Sequence, residues 1–260
     1  MRVFTSWRIA GLALPPCLIV ASVLGASEPS VRPTSPTIAA TATSRTAAVV
    51  APTSAALAGD PAAVKWLRAL ELRHKDYRRA RGEFTQIKKD PVFLEDISAT
   101  GEFFYERPNR FRCDYDKPES STSLVDGDLV TLYFPKLKQL ERYRLSREAG
   151  GIGEVNQMLL AFGIETDKVL KYFTVACDPE TSANVVRLTF APRATRAERP
   201  FAQFVLEMSK PDLAPKRFEI VGNEGDRTVV TITKITWNPN LPVDIFRLNP
   251  PKDVEIIEQE

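Results

Sequence analysis

Residues 101–115 read GEFFYERPNRFRCDY, and apolar side chains alternate with polar ones along both halves of this stretch. The shared face carries Gly101, Phe103, Tyr105 and Arg107 in the first half, and Phe111, Cys113 and Tyr115 in the second. A period of two is typical of β-strands that bury one face. Residues 107–109, Arg-Pro-Asn, are turn chemistry. The stretch therefore predicts two antiparallel strands joined by a short turn.

Further hairpins are predicted after this stretch. Asp126 and Gly127 form a type I′ turn signal between strands around Leu124 and residues 130–134. Later strands are predicted over residues 172–176, 185–191, 201–208, 216–221 and 228–237. Hairpins without crossover helices pair antiparallel, and a sheet of roughly ten strands must curl rather than stay flat. The pattern thus predicts a mainly β fold with some α, built on a large, strongly curved sheet or barrel.

Two amphipathic helices accompany the strands. Asp60 and Pro61 form an N-cap followed by proline at the first helical position. Apolar residues then recur at helical spacing: Trp66, Leu67, Leu70 and Tyr77. His74 lies in this helix among charged residues, so we expect a solvated or half-packed side chain without a catalytic role. A second helix is predicted over residues 154–162, with Val155, Met158, Leu159 and Phe162 on its apolar stripe.

The chain divides into three parts. Residues 1–26 are predicted to be a secretory signal peptide, because Arg2 and Arg8 precede an uncharged apolar run that ends in small residues. An uncleaved membrane anchor is the alternative, but Pro15 and Pro16 interrupt a run that is barely long enough to span. Residues 27–60 are almost entirely Ser, Thr, Ala and Pro, so we expect a disordered tether. Residues 61–260 form the predicted folded domain.

Composition and motifs argue against several classes of function. The 260 residues include 35 Lys and Arg against 33 Asp and Glu, and a net charge of +2 gives no strong field for nucleic acid. The chain has one histidine and lacks nucleophile-elbow, P-loop, dinucleotide and HExxH motifs. Residues 126–128, Asp-Gly-Asp, lack the further oxygen ligands of a calcium loop. We therefore predict no enzyme, no catalytic residues, no metal, no cofactor and no nucleic-acid partner.

The sequence leaves the state of two cysteines and the role of one basic stretch undecided. Cys113 and Cys177 both lie on predicted strands, and the sequence is compatible with a disulfide between them or with two buried thiols. A basic stretch comprises Lys136, Lys138, Arg142, Arg144 and Arg147. This stretch is compatible with a solvated strand face or with a docking surface.

A series of short motifs runs through the folded part in one order. It comprises FTQ at 84–86, residues 101–111, Pro118, VDG at 125–127, YFP at 133–135, Gln139 and FRLNPPKDV at 246–254. The series resembles the periplasmic outer-membrane lipoprotein carrier family, the LolA type, across residues 61–260. The resemblance implies an unclosed antiparallel β-barrel with a helical lid over an apolar cavity. It also implies a carrier that accepts acylated lipoproteins released from the inner membrane and delivers them to the outer membrane, without chemistry of its own.

The resemblance also implies a location and partners. We expect a periplasmic monomer that takes acylated lipoproteins from an inner-membrane lipoprotein-releasing ABC transporter, and whether an outer-membrane receptor exists stays open. A lipid- or lipoprotein-sensing regulatory module of the same fold is the alternative function. A structural envelope protein with a filled barrel is a third.

The resemblance and strand parity together suggest site residues. Arg107 matches the family arginine that holds the lid closed over the empty cavity. In the alternative interpretation, Arg107 is only the last residue of its strand and its guanidinium lies in solvent. The predicted cavity lining comprises Phe84, Phe103, Tyr105, Phe111, Tyr115, Leu132, Phe134, Phe204 and Phe218. The predicted lid helix adds Val155, Met158, Leu159 and Phe162. For each lining residue, an ordinary filled core is the alternative.

Overall fold

The computed structural model describes residues 60–89, 91, 96–144, 162, 165–178, 183–195, 199 and 201–259. Within these residues the chain forms two α-helices, a 3-10 turn at Pro135–Leu137 and twelve β-strands. The helices are α1 (Pro61–His74) and α2 (Thr166–Tyr172). The strands are β1 (Arg79–Lys89), β2 (Ile97–Glu106), β3 (Arg110–Lys117), β4 (Ser121–Asp126), β5 (Leu129–Phe134), β6 (Gln139–Arg144), β7 (Phe173–Cys177), β8 (Val185–Pro192), β9 (Gln203–Ser209), β10 (Pro215–Val221), β11 (Arg227–Trp237) and β12 (Glu255–Gln259).

All twelve described strands belong to one sheet, in the order β12-β6-β5-β4-β3-β2-β1-β11-β10-β9-β8-β7. Strands β1–β6 and β7–β11 form two antiparallel meanders, and the long strands β1 and β11 join them at the centre. The last strand, β12, returns to one edge and pairs parallel with β6. Because β12 and β7 are the two ends of this order, the described sheet is unclosed. The predicted unclosed antiparallel fold is confirmed, with twelve strands instead of about ten.

The two faces of the sheet differ in polarity. The inner face, which belongs to the main apolar core, carries Gly82, Phe103, Cys113 and Ser123 side by side on four neighbouring strands. On the outer face, ion pairs cross the same four strands: Arg79 with Glu106 at 2.7 Å, Glu106 with Arg110 at 3.3 Å, and Arg110 with Asp126 at 2.9 Å. Alternation along each strand places these two sets on opposite sides. The alternation of side chains between the two faces, predicted from residues 101–115, is therefore observed across β1–β4.

Helix α1 begins where the sequence predicts. Asp60 accepts a hydrogen bond from the Ala62 amide through Oδ1 at 2.9 Å, and Pro61 occupies the first helical position. The second carboxylate oxygen of Asp60 accepts from the Cys177 amide at 2.8 Å, which ties the start of α1 to β7. Arg68 pairs with Asp167 at 2.5 Å, so α1 is also linked to α2. These contacts place the helices beside the β7 edge of the sheet.

Helix α2 is absent from the sequence-based prediction. A strand was expected over residues 172–176, whereas Tyr172 ends α2 and β7 begins at Phe173. The helix has seven residues and buries only Thr166 and Val169. Two buried positions are too few to give a recognisable helical period. The Thr166 hydroxyl instead donates to Glu71 Oε2 at 2.7 Å, so a tertiary contact with α1 supports α2.

A C-terminal strap, residues 241–248, crosses the outer face of the sheet. Phe104 and Leu124 are buried beneath it and pack with Phe246 in a small second core. Leu241, Ile245 and Leu248 pack against the same core. Sequence parity places Phe104 on a polar face, and the strap is the reason that it is buried. Arg112 Nη1 donates to the Ile245 carbonyl oxygen at 2.6 Å and fastens the strap to β3.

Replacing Arg112 by methionine is expected to loosen the strap. The change preserves the aliphatic stem and removes the charge-assisted hydrogen bond to Ile245 together with the ion pair to Asp114 at 2.9 Å, so we expect the free energy of unfolding to fall by about 1–3 kcal/mol. Urea denaturation measures this loss, and hydrogen exchange of the amides in residues 241–248 locates it. Arg144→Met, which removes an exposed arginine paired with Asp128, is the matched control. Unchanged exchange in the strap would contradict the anchoring role of Arg112.

Candidate functional site

The residues predicted to line the cavity come together on the inner face. All nine belong to the main buried core: Phe84, Phe103, Tyr105, Phe111, Tyr115, Leu132, Phe134, Phe204 and Phe218. Register explains this arrangement, because Phe103 lies opposite Cys113 and Tyr105 lies opposite Phe111 across β2 and β3. In the structure these side chains are packed among themselves and against residues outside the strands. Their role as a lipid-binding surface stays a prediction.

One group of rings on this face is covered by a residue outside the sheet. We call Phe103, Tyr105, Phe111, Phe162 and Trp237 the lid cluster. The Phe162 ring lies 4.9 Å from Tyr105, 5.5 Å from Phe103 and 5.8 Å from Phe111, measured between ring centroids. Trp237 contacts Phe162 edge-on at 6.0 Å. Phe162 is 1% exposed, so the contacts remove almost the whole side chain from solvent.

Phe162 lies in the connection between β6 and α2. The sequence predicts it as part of a lid helix, and it lies over the predicted lining residues Phe103 and Tyr105. The other predicted lid residues, Val155, Met158 and Leu159, lie outside the described residues. The part of the predicted lid that the structure describes is therefore an aromatic side chain that covers the inner face.

A second group of rings lies on the other half of the sheet. We call Phe173, Phe190, Phe201, Phe204 and Phe218 the helix-side cluster. Neighbouring rings in it are 5.5–6.3 Å apart, as in the pairs Phe190–Phe204 and Phe173–Phe190. Strand β7, which carries Phe173, is contacted by α1 and α2. The inner face thus has two parts: one covered by Phe162 and one beside the two helices.

Two glycines leave the space that neighbouring aromatic rings occupy on the inner face. A Cβ atom at Gly82 would lie 2.4 Å from the Phe103 ring and 2.4 Å from the Lys234 carbonyl oxygen. At Gly101 it would lie 2.2 Å from the Asp114 carbonyl oxygen and 3.0 Å from the Phe84 ring. Neither backbone oxygen can move without disturbing a strand pair. The rings of Phe103 and Phe84 therefore depend on the missing side chains beside them.

Gly82→Ala is expected to disturb the lid cluster. The added methyl group displaces either the Phe103 ring or the β11 backbone, and overpacking of this kind destabilises a domain by about 1–3 kcal/mol. Thermal denaturation measures the loss. Thr85→Ala, at an exposed position of the same strand, is the control and is expected to change stability less. An unchanged melting temperature for Gly82→Ala would show that the inner face has room to spare at this point.

Arg107 occupies the turn after β2. Its backbone amide donates to the Arg78 carbonyl oxygen at 2.9 Å, which fixes the turn against the residue before β1. Burial raises the pKa of Tyr105, and the charge of Arg107 and a hydrogen bond from it partly offset this rise. The half-buried guanidinium therefore lies beside the Tyr105 hydroxyl, next to the lid cluster. This position suits the predicted lid-holding role.

The prediction of a solvated or half-packed His74 is wrong. The side chain is 1% exposed and packs on Trp237 at 5.1 Å and on Tyr77 at 5.4 Å, which are themselves stacked at 4.2 Å. His74 continues the buried stripe of α1, which includes Leu67 and Leu70. The residues next to His74 in the sequence are charged, and they suggested an exposed position. The helical spacing from Leu67 and Leu70 is the signal that identifies it as a buried residue.

The surroundings of His74 favour its neutral form. Burial lowers the pKa of the imidazole, and the charges of Arg107 and Arg73 lower it further. The nearby backbone carbonyls of Phe162 and Leu213 act in the opposite direction. Neither ring nitrogen makes a hydrogen bond of good geometry in this structure. His74 is thus a neutral, buried contact between α1 and the lid cluster.

Polar side chains interrupt the inner face on β4 and β6. Gln139, Glu141 and Tyr143 alternate along β6 on the side that packs toward the core, and Gln139 Nε2 donates to Glu141 Oε1 at 2.9 Å. Burial raises the pKa of Glu141. On β4, Ser123 is 1% exposed. Sequence reasoning missed Glu141 and Tyr143 because residues 139–144 were considered only for their basic side chains and for Gln139 of the motif series.

The basic stretch pairs with acidic residues. The ion pairs are Lys136 with Glu119 at 2.5 Å, Lys138 with Asp253 at 2.6 Å, Arg142 with Glu258 at 3.3 Å, and Arg144 with Asp128 at 3.1 Å. Arg147 lies outside the described residues. Exposed pairs of this kind contribute little to stability, but they neutralise the surface. Their presence favours the solvated strand face over the docking surface.

The disulfide alternative for Cys113 and Cys177 is not formed, because Cys177 carries a free thiol. Cys113 lies on β3 beside Phe103 and Ser123, whereas Cys177 lies on the edge strand β7 beside Leu188. Six strands separate them in the sheet order. A disulfide requires Cα atoms within about 7 Å, and the strand register sets these two cysteines on different parts of the sheet.

Among the described residues, no group of three His, Cys, Asp or Glu side chains is arranged to hold a metal ion. Neither α1 nor α2, the helices of the described part, is long and apolar enough to cross a membrane.

An unclosed antiparallel sheet with an aromatic inner face, covered by a segment outside the sheet, defines an open-barrel protein with an apolar interior. This chain belongs to the LolA family: the sequence model of that family, described as outer membrane lipoprotein carrier protein LolA, matches residues 76–249. The matched residues extend from before β1 to the C-terminal strap, so they include the lid cluster and Arg107.

Individual relatives are distant. The outer-membrane lipoprotein carrier protein of Albidiferax ferrireducens is 25% identical over 197 residues, covering 74% of this chain and 91% of the relative. That of Nitrosomonas europaea is 29% identical over 180 residues, covering 68% and 81%. A solved structure of an uncharacterized conserved protein from Thermus thermophilus aligns with a TM-score of 0.49 and 12% identity, covering 75% of this chain and 98% of that one. Both of these relatives bear the name outer-membrane lipoprotein carrier protein.

Proposed function

We propose that this protein is a periplasmic carrier that binds the acyl chains of lipoproteins released from the inner membrane and delivers them to the outer membrane. The lid cluster is the observation that carries the proposal, because an apolar face covered by a residue outside the sheet can exchange that cover for another apolar group. Family membership and the names of the relatives support the same role.

Energetics explain why such a carrier is needed. Burying one CH₂ group contributes about 0.8 kcal/mol, so a sixteen-carbon chain left in water costs on the order of 12 kcal/mol. The same carrier must release its load, which favours an adaptable apolar face over a tight and shape-specific pocket. A face of packed aromatic rings without a dense hydrogen-bond network meets both requirements.

Movement of Phe162 would expose the binding surface. Hydrophobic burial is non-directional, and an acyl chain on the inner face replaces most of the apolar contact that Phe103, Tyr105 and Phe111 lose when Phe162 leaves. The exchange therefore costs less free energy than opening a hydrogen-bonded layer. In this proposal Val155, Met158 and Leu159 move with Phe162 as the lid.

The proposal also assigns a role to each of the three parts of the chain. Residues 1–26 direct export to the periplasm and are removed, residues 27–60 are a disordered tether, and residues 61–260 form the carrier domain. The donor is an inner-membrane lipoprotein-releasing ABC transporter, and the cargo is an acylated lipoprotein. The carrier acts as a monomer and performs no chemistry.

Native mass spectrometry of the mature protein, purified from its own periplasm without detergent, tests the proposal. A bound acylated protein is the expected result and identifies the cargo. Bound free lipid alone would favour the lipid-sensing alternative. An empty protein that also fails to take up a fluorescent acyl probe would overturn the carrier role and indicate a filled structural barrel.

A further inference from the structure

The inner face is not uniformly apolar. Between β7 and β10 it carries apolar residues, whereas between β4 and β6 it includes Ser123, Gln139, Glu141 and Tyr143. The register places Ser123, Leu132 and Glu141 in one row across β4, β5 and β6. Val125, Val130 and Tyr143 form the next row. Gln86 on β1 and Thr228 on β11 are also polar and buried on this face, but Gln86 accepts a hydrogen bond from the Tyr115 hydroxyl at 3.1 Å, whereas the carboxylate of Glu141 lies at the β6 side.

Glu141 is a carboxylate in surroundings that disfavour its charge. Burial raises its pKa, and its negative charge in turn contributes to the raised pKa of Tyr143, which places the two side chains close together. Its neighbour Gln139 donates one hydrogen bond at 2.9 Å. Among the described residues, no cation lies within ion-pair distance of Glu141, although the basic residues of the same strand pair with other acids. The second carboxylate oxygen has capacity for a further donor.

Ser123 provides an independent indication of a polar ligand. Its side chain is 1% exposed, and its hydroxyl oxygen makes no hydrogen bond. An unpaired buried polar group costs about 1–3 kcal/mol, so such groups are uncommon unless something pairs with them in another state. Strands lie about 4.8 Å apart, which puts Ser123 about 10 Å from Glu141 with Leu132 between them. That spacing suits the polar linkage of an amphiphile whose chains lie over the apolar rings.

We propose that Glu141 binds a primary ammonium group at the head of an acylated ligand, so that this protein prefers acylated ligands with a free amine over the same ligands with that amine acylated. Ser123 lies where it can pair with a polar atom of the linkage between head and chains. The inference rests on the proposed carrier function and adds the chemistry of the head group.

An ammonium is the group that fits this position best. A half-buried carboxylate gains most from a cation that also donates hydrogen bonds, and such charge-assisted bonds are about twice as strong as neutral ones. N-acylation removes the positive charge and leaves a single amide donor. Two sources present the required chemistry: the α-amine of a diacylated lipopeptide and the amine of an aminophospholipid.

Competition binding with defined ligands tests the inference. The first pair is a synthetic lipopeptide with two ester-linked palmitoyl chains and a free α-amine, and its N-acetylated form. The second pair is lysophosphatidylethanolamine and its N-acetylated form. Each ligand displaces a fluorescent fatty acid from the mature protein. We expect the wild type to prefer a free amine roughly tenfold in at least one pair, as one charge-assisted hydrogen bond provides.

Glu141→Gln is the decisive variant, because it preserves the shape and the contact with Gln139 while removing the charge. We expect the preference for the free amine to fall below about twofold, with little change for the acetylated ligands. Glu83→Gln, which removes an exposed glutamate from the outer face of β1, is the matched control and should retain the wild-type preference. Thermal melting checks that both variants are folded.

The outcomes separate this inference from the carrier proposal. A preference in the lipopeptide pair identifies a lipoprotein N-terminus as the source of the amine, and one in the phospholipid pair alone identifies an aminophospholipid. Binding of all four ligands without a preference, or a preference that persists in Glu141→Gln, overturns the role of Glu141 and leaves the carrier function standing. Failure of every acylated ligand to bind overturns both.

Discussion

Phe103→Glu is expected to abolish acyl-chain binding in a protein that remains folded. Phe103 lies at the centre of the lid cluster, 5.9 Å from Phe111 and 5.5 Å from Phe162. A carboxylate at this position must be desolvated by any acyl chain that covers it, which costs several kcal/mol. We expect the affinity for a fluorescent acyl probe to fall at least about 100-fold.

The fold should survive because the introduced carboxylate can reach water. Phe162, which covers Phe103, belongs to none of the twelve described strands or to either described helix, so it can leave without breaking a strand pair. Loss of its ring contacts lowers the melting temperature but does not remove the sheet. Circular dichroism measures both the retained β-structure and the lowered midpoint.

Phe204→Glu is the matched comparison on the same face. Phe204 is fully buried between Phe190 and Phe218 in the helix-side cluster, on β9, which is paired on both sides with β8 and β10. Loss of such a ring costs about 3–5 kcal/mol, and burial of an unpaired charge adds several more. The sum is comparable with the whole stability of a domain, and we expect this variant to be unfolded at 25 °C.

The comparison of the two variants separates a binding surface from a filled core. If Phe103→Glu is as unfolded as Phe204→Glu, the rings of the lid cluster are ordinary core, and the carrier proposal loses its main support. If Phe103→Glu is folded and binds the acyl probe normally, the ligand occupies another surface. Only a folded protein without binding agrees with the proposed site.

The strands were the most predictable part of this fold. Alternation along residues 101–115 places Phe103, Tyr105 and Phe111 on one face without any tertiary information, since successive side chains in a strand point to opposite sides. A two-residue turn at this point was equally clear, but its type was not: of the central residues Gly127 and Asp128 only Gly127 has positive φ, at 69°, which fits type II′ and not the predicted type I′. Local rules suffice where a residue's environment is set by its own strand.

Prediction failed where a distant segment sets the environment. Phe104 has the parity of a solvent-facing residue and is buried because the strap, more than a hundred residues later, covers it. The short helix α2 depends on its contact with Glu71 of α1. His74 was judged from its charged neighbours in sequence, although α1 turns its imidazole toward Trp237. Neither the strap contact nor the contact of α2 leaves a local sequence signal, whereas the helical spacing that marks His74 as buried was outweighed by its charged neighbours.

In the candidate site, too, some residues could be predicted from local sequence and others could not. The aromatic lining was predicted because large apolar residues at period two identify an inner face. Glu141 was missed because a single carboxylate in a basic strand resembles ordinary surface composition, and its inward direction follows only from the register of β6 on β5. Polar residues on an apolar face are therefore found through strand register and not through residue type.

Arg107→Leu is expected to impair release of the ligand while leaving its uptake and the fold intact. The guanidinium lies beside Tyr105 and His74 at the edge of the lid cluster. If Arg107 holds the lid over the empty inner face, its contacts lower the free energy of the unloaded state and so favour discharge. Loss of one charge-assisted hydrogen bond, about 1.5–3 kcal/mol, predicts that transfer of a bound lipopeptide to acceptor vesicles falls at least about tenfold.

Trp237 reports on the lid in the same variant, because its indole contacts Phe162 at 6.0 Å. Trp66→Phe leaves Trp237 as the one tryptophan of the folded domain. In this background we expect Arg107→Leu to shift the emission of the empty protein toward that of the loaded wild type, since the lid no longer closes. Arg81→Leu removes an arginine paired with Glu102 on the outer face and should change neither emission nor transfer. Normal transfer and unshifted emission in Arg107→Leu would show that the lid is held by ring packing alone.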